Sequence, residues 1–421
     1  MTFSVRRGRT FVSLRKHRNY RLLFMGQVVS VTGTWMQDTA LPWLVLRLTH
    51  SPIDVGLLVF CRYVPFALLG LPAGALADRF DNRRMMIATQ SSSMCVAAAL
   101  AALTLTGHEQ LWALYLLATL GGATTILDAP NRHALTYRLV GRDELPNAVA
   151  LNSSFFNAGR VVGPAVAGVV IGTLGISVCF VLNALSFLAV LSALLAMRRD
   201  ELFPLDRSGA AETGGAIREG LRFVLASERT VLLLTIALVV SLTGFNLRVL
   251  LPLLAGRTLR AGPETFGVLW ASFGTGALAG ALYAAGAARA SWRTLVAGVG
   301  GFSVAMLALA PLHSAAPASV LLAAIGFCFT LWTASSQSIL QLTTPDRLRG
   351  RVLSIYLFVL TGLTPAGSLL SAWLASVGGT ELAFGLAGAC GAAMTALAVV
   401  RLRPGRVRAL ARRLATALSP D

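Results

Sequence analysis

Asp38, Arg62, Asp128, Arg132, Arg160 and Arg248 lie inside long apolar stretches of this 421-residue chain. Charge in a lipid-spanning segment is costly, so such residues pair with one another or serve ion and proton pathways. Counting about 1.5 Å of rise per residue from the more basic edge puts Asp38 and Arg62 each roughly 25 Å deep on consecutive segments. At equal depth they can pair, and Asp38 is then either a proton-coupling carboxylate or a static partner of Arg62. Asp128 and Arg132 stand i,i+4 near a basic edge, the spacing of a structural pair on one helix face. Arg160 falls near mid-segment and Arg248 in the outer part of its own. If both face a shared cavity without acids, they favour an anionic substrate. Trp35, Trp43, Phe155, Phe156, Phe245, Trp270, Phe273 and Trp332 are candidate cavity aromatics, although such rings in membrane segments more often pack or anchor at interfaces.

A second group sits at the end of the second apolar segment, Gly70-Leu-Pro-Ala-Gly74-Ala-Leu-Ala-Asp78-Arg79-Phe-Asp81-Asn82-Arg83-Arg84. Gly70 and Gly74 form a small-xxx-small face that admits a neighbouring helix. Asp78 can meet the positive end of a helix or an arginine. Gly74, Asp78, Arg79 and Arg83 therefore make a candidate conformational latch, formed in one state and broken in another; the plainer alternative is that the arginines only fix loop orientation. The third group is Gly159-Arg160-Val-Val-Gly163-Pro164-Ala-Val-Ala-Gly168. Pro164 removes a backbone donor and bends a helix, while Gly159, Gly163 and Gly168 provide either a functional bend or ordinary close packing.

Other chemistries lack their residues. Lys16 is the lone lysine and follows no phosphate-binding glycine loop, so the chain holds no nucleotide-hydrolysing motor. There is neither H-E-x-x-H nor G-x-S-x-G, and the five histidines are scattered. No catalytic residue, metal or cofactor is expected. Cys61, Cys95, Cys179, Cys328 and Cys390 share no ligand spacing and read as small buried hydrophobes.

The elements that must position these residues are membrane helices. Hydrophobic residues make up 55% of the chain and charged residues only 13%, against about a quarter charged in soluble domains. A helix crosses the hydrocarbon in about 20 residues. That ruler gives twelve spans, near 20–46, 53–77, 84–106, 111–137, 147–172, 176–197, 231–256, 264–288, 293–312, 317–343, 350–376 and 380–401. The formal net charge is +18, but the basic residues sit in short loops, which argues against nucleic acid. Of the 36 Lys and Arg residues, 29 fall in alternate loops and the termini, and only Arg47, Arg257 and Arg260 fall in the opposite loops. The positive-inside rule places both termini in the cytoplasm.

Residues 198–230 form the one long connection, with Ile217, Leu221, Val224 and Leu225 at the spacing of a surface helix. They divide the chain into a first six-helix bundle (1–197), a linker (198–230), a second six-helix bundle (231–401) and a basic tail (402–421). The bundles repeat: Asp143-Glu-Leu145-Pro-Asn-Ala-Val149 aligns with Asp346-Arg-Leu348-Arg-Gly-Arg-Val352 at an offset of 203. Parallel repeats of this kind place a substrate site between them near mid-depth.

Gly74, Leu76, Asp78, Arg79 and Arg83 resemble the signature loop of the Major Facilitator Superfamily, with Asp81 where that family often has Gly and Asn82 where it often has a basic residue. The form D-R-F-D-x-R-R, with Gly33-Thr-Trp35-Met-Gln37, Asp128-Ala-Pro130-Asn-Arg132, Leu182-Asn183-Ala-Leu-Ser-Phe and Arg349-Gly350-Arg351-Val352, is similar to the branch of enterobactin exporters and macrolide efflux proteins. The Gly159–Gly168 stretch resembles the exporters' G-x-x-x-G-P-x-x-G-G motif, with Ala167 replacing one Gly. The resemblance implies an all-α membrane protein of the Major Facilitator fold. It also implies a monomer in the plasma (inner) membrane that moves a small molecule outward in exchange for protons by alternating access. An importer, or a non-transporting scaffold or receptor on the same fold, stays open at this point.

Overall fold

The computed structural model describes residues 11–204, 213–244, 246–286 and 291–402, with the side chains of 71–79 and 213–217 outside the description. The elements run α1 (Val12–Lys16), α2 (Arg18–Thr49), α3 (Pro52–Arg79), α4 (Asn82–Thr106), α5 (Leu111–Thr173), α6 (Ile176–Leu195), α7 (Thr213–Leu225), α8 (Glu228–Thr243) and α9 (Leu247–Leu253). After a π-helical segment, Leu254–Thr258, come α10 (Pro263–Gly286), α11 (Trp292–Leu309), α12 (Ala315–Thr343) and α13 (Asp346–Leu357). A second π segment, Phe358–Gly362, precedes α14 (Thr364–Leu402).

Nine stretches among the described residues are long and apolar enough to cross a membrane. Two of them fold back on themselves. Gly141 (φ 70°, ψ −177°) breaks α5 into 111–140 and 142–173, and Gly378 with Gly379 (φ 70°, ψ −177°) breaks α14. Only glycine adopts that backbone region without strain, so a single residue replaces a loop. α2 is the twelfth span; Gln27, Gln37, Asp38 and its basic start make it less apolar than the others. The twelve expected spans are all present. The expected loop at 138–146 is not: the fifth span begins at 142 rather than 147, because Gly141 makes the turn alone. The seventh span is not one helix either, since α8 ends at Thr243 and α9 starts at Leu247.

Side-chain caps set several of the starts. Ser227 accepts from the Thr230 amide, and Ser291 forms a capping box with Thr294, each contributing about 1 kcal/mol. In the linker, α7 lies on α13, where Glu219 reaches Arg347 (2.6 Å) and Arg351. Val224 is buried, while Leu221 and Leu225 are exposed. Cys179 is buried as expected, but Cys95 is exposed.

The twelve spans form two bundles of six. Their seam uses the same crossing twice, as the internal repeat requires. Residues 142–173 of α5 cross α10, and α3 crosses α14. At the first crossing a Cβ on Gly168 would stand 2.9 Å from the Gly267 Cα, so only glycine on both helices allows the approach. At the second, the Ser368 hydroxyl donates to the Gly56 carbonyl at 3.2 Å, and Gly56 faces Ala372. Trp43 stacks on Phe266 (5.0 Å between ring centres) nearby. These contacts lie on the side of the molecule away from α1, α7 and the end of α14. Among the described residues, the hydrogen bonds that join the bundles are Ser368–Gly56 and Arg248–Asp38. The bundles are thus clamped in the far half.

Candidate functional site

α2 has a polar stripe on its inner face because Gln27, Ser30, Thr34, Gln37 and Asp38 recur at helical spacing. Asp38 is the centre of the seam. Its Oδ1 accepts from Arg62 Nη2 of α3 at 3.2 Å, and its Oδ2 accepts from Arg248 Nη1 of α9 at 2.9 Å. The equal depth of Asp38 and Arg62 was legible in the sequence. The second partner was not: Arg248 does not face a cavity without acids, because it spans the seam to Asp38. Depth counting says nothing about facing, so this pair needed the tertiary structure.

Arg248 reaches the seam because the seventh span is interrupted. Asn246 donates to the Ser241 carbonyl at 3.3 Å and the Leu242 carbonyl at 3.0 Å, so its side chain occupies acceptors that a continuous helix would have used. The Ser241 hydroxyl donates to the Leu360 carbonyl in the π segment of the eleventh span at 2.7 Å. Broken and π-helical backbone at membrane depth is tolerated where it is packed in protein or lines a cavity. The sequence signal was a lone Asn within an apolar run.

Arg160 and Arg248 both lie against Trp35, with guanidinium carbons 5.5 Å and 5.1 Å from its ring centre. Arg248 also lies 5.6 Å from the Tyr63 ring. Gly159 and Gly163 of α5 make room for Trp35: a Cβ on Gly163 would meet the Trp35 Cβ at 2.4 Å. Gly168 serves the crossing with α10 instead. Pro164 stays within regular helix, since Gly141 has the only non-helical dihedrals in α5.

Asp128 and Arg132 pair at 2.6 Å. Thr89 (3.0 Å) and Gln90 (2.9 Å) also donate to the Asp128 carboxylate, and Arg132 lies 4.6 Å from the Phe156 ring centre. This pair lies within the first bundle, at one end of a polar cavity of about 120 Å³ that reaches Arg62 and Gln37. A pocket of about 30 Å³ continues from Arg62 to Asp38 and Arg248. Together they have room for several water molecules. Of the other aromatics, Trp270, Phe273 and Trp332 are buried core, and Phe245 lies outside the described residues.

In the latch region α3 runs through Gly74 and Asp78 to Arg79, whose side chains lie outside the described residues. Arg83 is buried and donates to the Leu194 carbonyl at 2.7 Å and the Leu195 carbonyl at 3.3 Å. It caps the C-terminus of α6, where cations are favoured. Asp81, noted in the sequence only as a departure from the signature, does two jobs: it accepts from the Arg84 amide at 3.0 Å, capping α4, and pairs with Arg138 at 3.1 Å. Burial pushes its carboxyl upward, but the Arg84 amide and the Arg138 guanidinium outweigh that and hold it below the usual carboxylate range.

Twelve apolar spans, six and six about a charged seam, define a multi-pass membrane carrier rather than an enzyme. The chain belongs to the transmembrane secretion effector family of the Major Facilitator Superfamily, whose description matches residues 9–415. It is 28% identical over 373 residues to the staphyloferrin A transporter of Staphylococcus aureus, covering 87% of this chain and 92% of that protein. It is also 28% identical over 345 residues to the enterobactin exporter EntS of Salmonella choleraesuis, covering 80% and 81%. The fold agrees with that of a bacterial homologue of the human lysosomal transporter Spinster, crystallised in an inward-facing, unoccupied conformation, at a TM-score of 0.65 with 15% identity, covering 91% of this chain and 95% of that one. The resemblance drawn from the signature loop and the twelve-span architecture are both borne out.

Proposed function

We propose that this protein exports a small molecule across the cytoplasmic (inner) membrane by alternating access, with proton movement supplying the drive. The observation that carries this reading is the position of Asp38, held by Arg62 of its own bundle and by Arg248 of the other. Rocking the bundles apart in the far half pulls Arg248 away and leaves the carboxylate with Arg62 alone. A carboxylate whose compensation changes with conformation can take up a proton in one state and release it in the other.

Residues 1–197 and 231–401 are the rocking units, 198–230 the connection and 402–421 a basic tail. The concentration of arginine on the side of the termini supports a cytoplasmic placement of both, and the far-half clamp then makes this conformation open to the cytoplasm. Gly74, Asp78, Arg79 and Arg83 act as the cytoplasmic latch of the opposite conformation. Gly159, Gly163, Pro164 and Gly168 let α5 pivot on α2 and α10, and Asp128–Arg132 is structural. The enterobactin exporter and the multidrug efflux pump among the relatives support outward movement of a siderophore, drug or secreted metabolite, and a monomer suffices because one chain supplies both bundles.

The test is flux in proteoliposomes of the purified protein with an imposed pH gradient. Uptake of substrate into vesicles with an acidic interior should stop when a protonophore collapses the gradient. Flux indifferent to the protonophore removes the coupling, and a C-terminal reporter active only outside the cell removes the orientation.

A further inference from the structure

Charge at the seam does not balance. Arg62 and Arg248 share one carboxylate, Asp38. Arg160 lies beside them against the same Trp35 ring that Arg248 touches, and among the described residues it has neither a carboxylate nor a hydrogen-bond partner. Three guanidinium groups against one carboxylate leave a formal charge of +2. Arg160 is thirteen residues from the end of α5 at Thr173, about 20 Å from that end at helical rise, too deep for its head to reach bulk solvent on the clamped side. Its main chain is pinned, since its carbonyl would stand 3.0 Å from a Cβ on Gly274 of α10. Arg160 is only partly buried, so its guanidinium stays within reach of a ligand, and contact with Trp35 neutralises none of its charge.

We propose that Arg160 anchors an anionic group of the transported molecule, a carboxylate or comparable planar oxyanion, with Trp35 beside it and Arg248 adding long-range attraction. This rests on the carrier reading above and names its substrate class. A guanidinium presents parallel donors that match two oxygens of such a group. A cationic molecule would raise the local charge to +3, and a neutral one would leave Arg160 uncompensated. Under an inside-negative membrane potential, outward movement of the anion is itself favoured.

The test uses proteoliposomes and two dyes, anionic carboxyfluorescein and cationic rhodamine 6G, under the same imposed gradient. Wild type should move carboxyfluorescein in preference to rhodamine 6G. Arg160→Gln should lower carboxyfluorescein flux by roughly 10- to 100-fold, the factor expected for losing one charge-assisted pair. Arg160→Lys, which keeps the charge without the fork, should restore part of it. Monodispersity of both variants separates this loss from misfolding. Carboxyfluorescein flux at the wild-type rate in Arg160→Gln overturns the assignment. Preference for rhodamine 6G in the wild type also overturns it while leaving the carrier reading intact. Flux of neither dye, with carboxyfluorescein not bound by the purified protein, overturns this assignment and leaves the carrier reading to the gradient-driven flux test above.

Discussion

Gly168→Ala should shift the carrier towards the conformation open on the far side. In the clamped state the new Cβ would stand 2.9 Å from both the Gly267 Cα and the Pro263 carbonyl oxygen. Both are backbone atoms, so no side chain can swing away, and one helix must move. Overpacking of this kind costs about 1–3 kcal/mol. The methyl group meets nothing once α5 and α10 separate, so the penalty falls on one conformation only. The ratio of clamped to far-side-open molecules should then fall roughly 5- to 150-fold. The assay is the distance distribution between spin labels on Ser51→Cys and Gly262→Cys, in a background with the five native cysteines replaced by serine. Gly350→Ala is the control, because a Cβ there meets nothing within 4 Å. A long-distance population that fails to grow in Gly168→Ala, or that grows equally in the control, would refute the reasoning that this crossing sets the conformational balance.

Asp38→Asn strips the carboxylate from two guanidinium groups at once, so flux should lose its dependence on the pH gradient or cease; an unchanged pH profile makes Asp38 merely structural. Asp78→Asn should leave a folded, monodisperse protein with much reduced flux, and normal flux would remove the latch role. Asp81→Asn should lower thermal stability near pH 7. The Asp81 carboxyl is held below the usual range in the folded protein, so its contribution is present above the unfolded value of about 3.9 and is lost as pH falls through the folded value. The stability gap between wild type and variant should therefore stay constant from neutral pH down to about pH 5 and narrow as pH falls below about 4; a gap that does not narrow with falling pH would assign the effect to the cap geometry instead of the charge.

Several parts of the site were legible because they follow from local arithmetic. The Asp128–Arg132 pair needs only the i,i+4 relation on one helix, and the matched depth of Asp38 and Arg62 needs only the rise per residue. The clash-prone glycines announced themselves by spacing, although which helix each one meets did not. Gly159 and Gly163 accommodate Trp35 within one bundle, whereas Gly168 meets Gly267 across the seam. The cap at Asp81 was readable in principle, since an Asp directly before a helical run is a start signal. The break at Gly244–Asn246 was hidden inside an apolar run that hydropathy alone reads as continuous.

The sequence by itself determined that lipid is the solvent and how many times the chain crosses it, and it sets the expectation of which loops share a side and where the two repeats divide. Those properties are sums over composition, length and the placement of arginine, and each is fixed before any two helices meet. Tertiary structure alone decided that Asp38 answers to both bundles, that Arg160 has no counter-charge among the described residues and that the bundles close in the far half. Facing and partnership depend on how helices rotate and cross, and that rotation is set by side chains hundreds of residues apart in the chain.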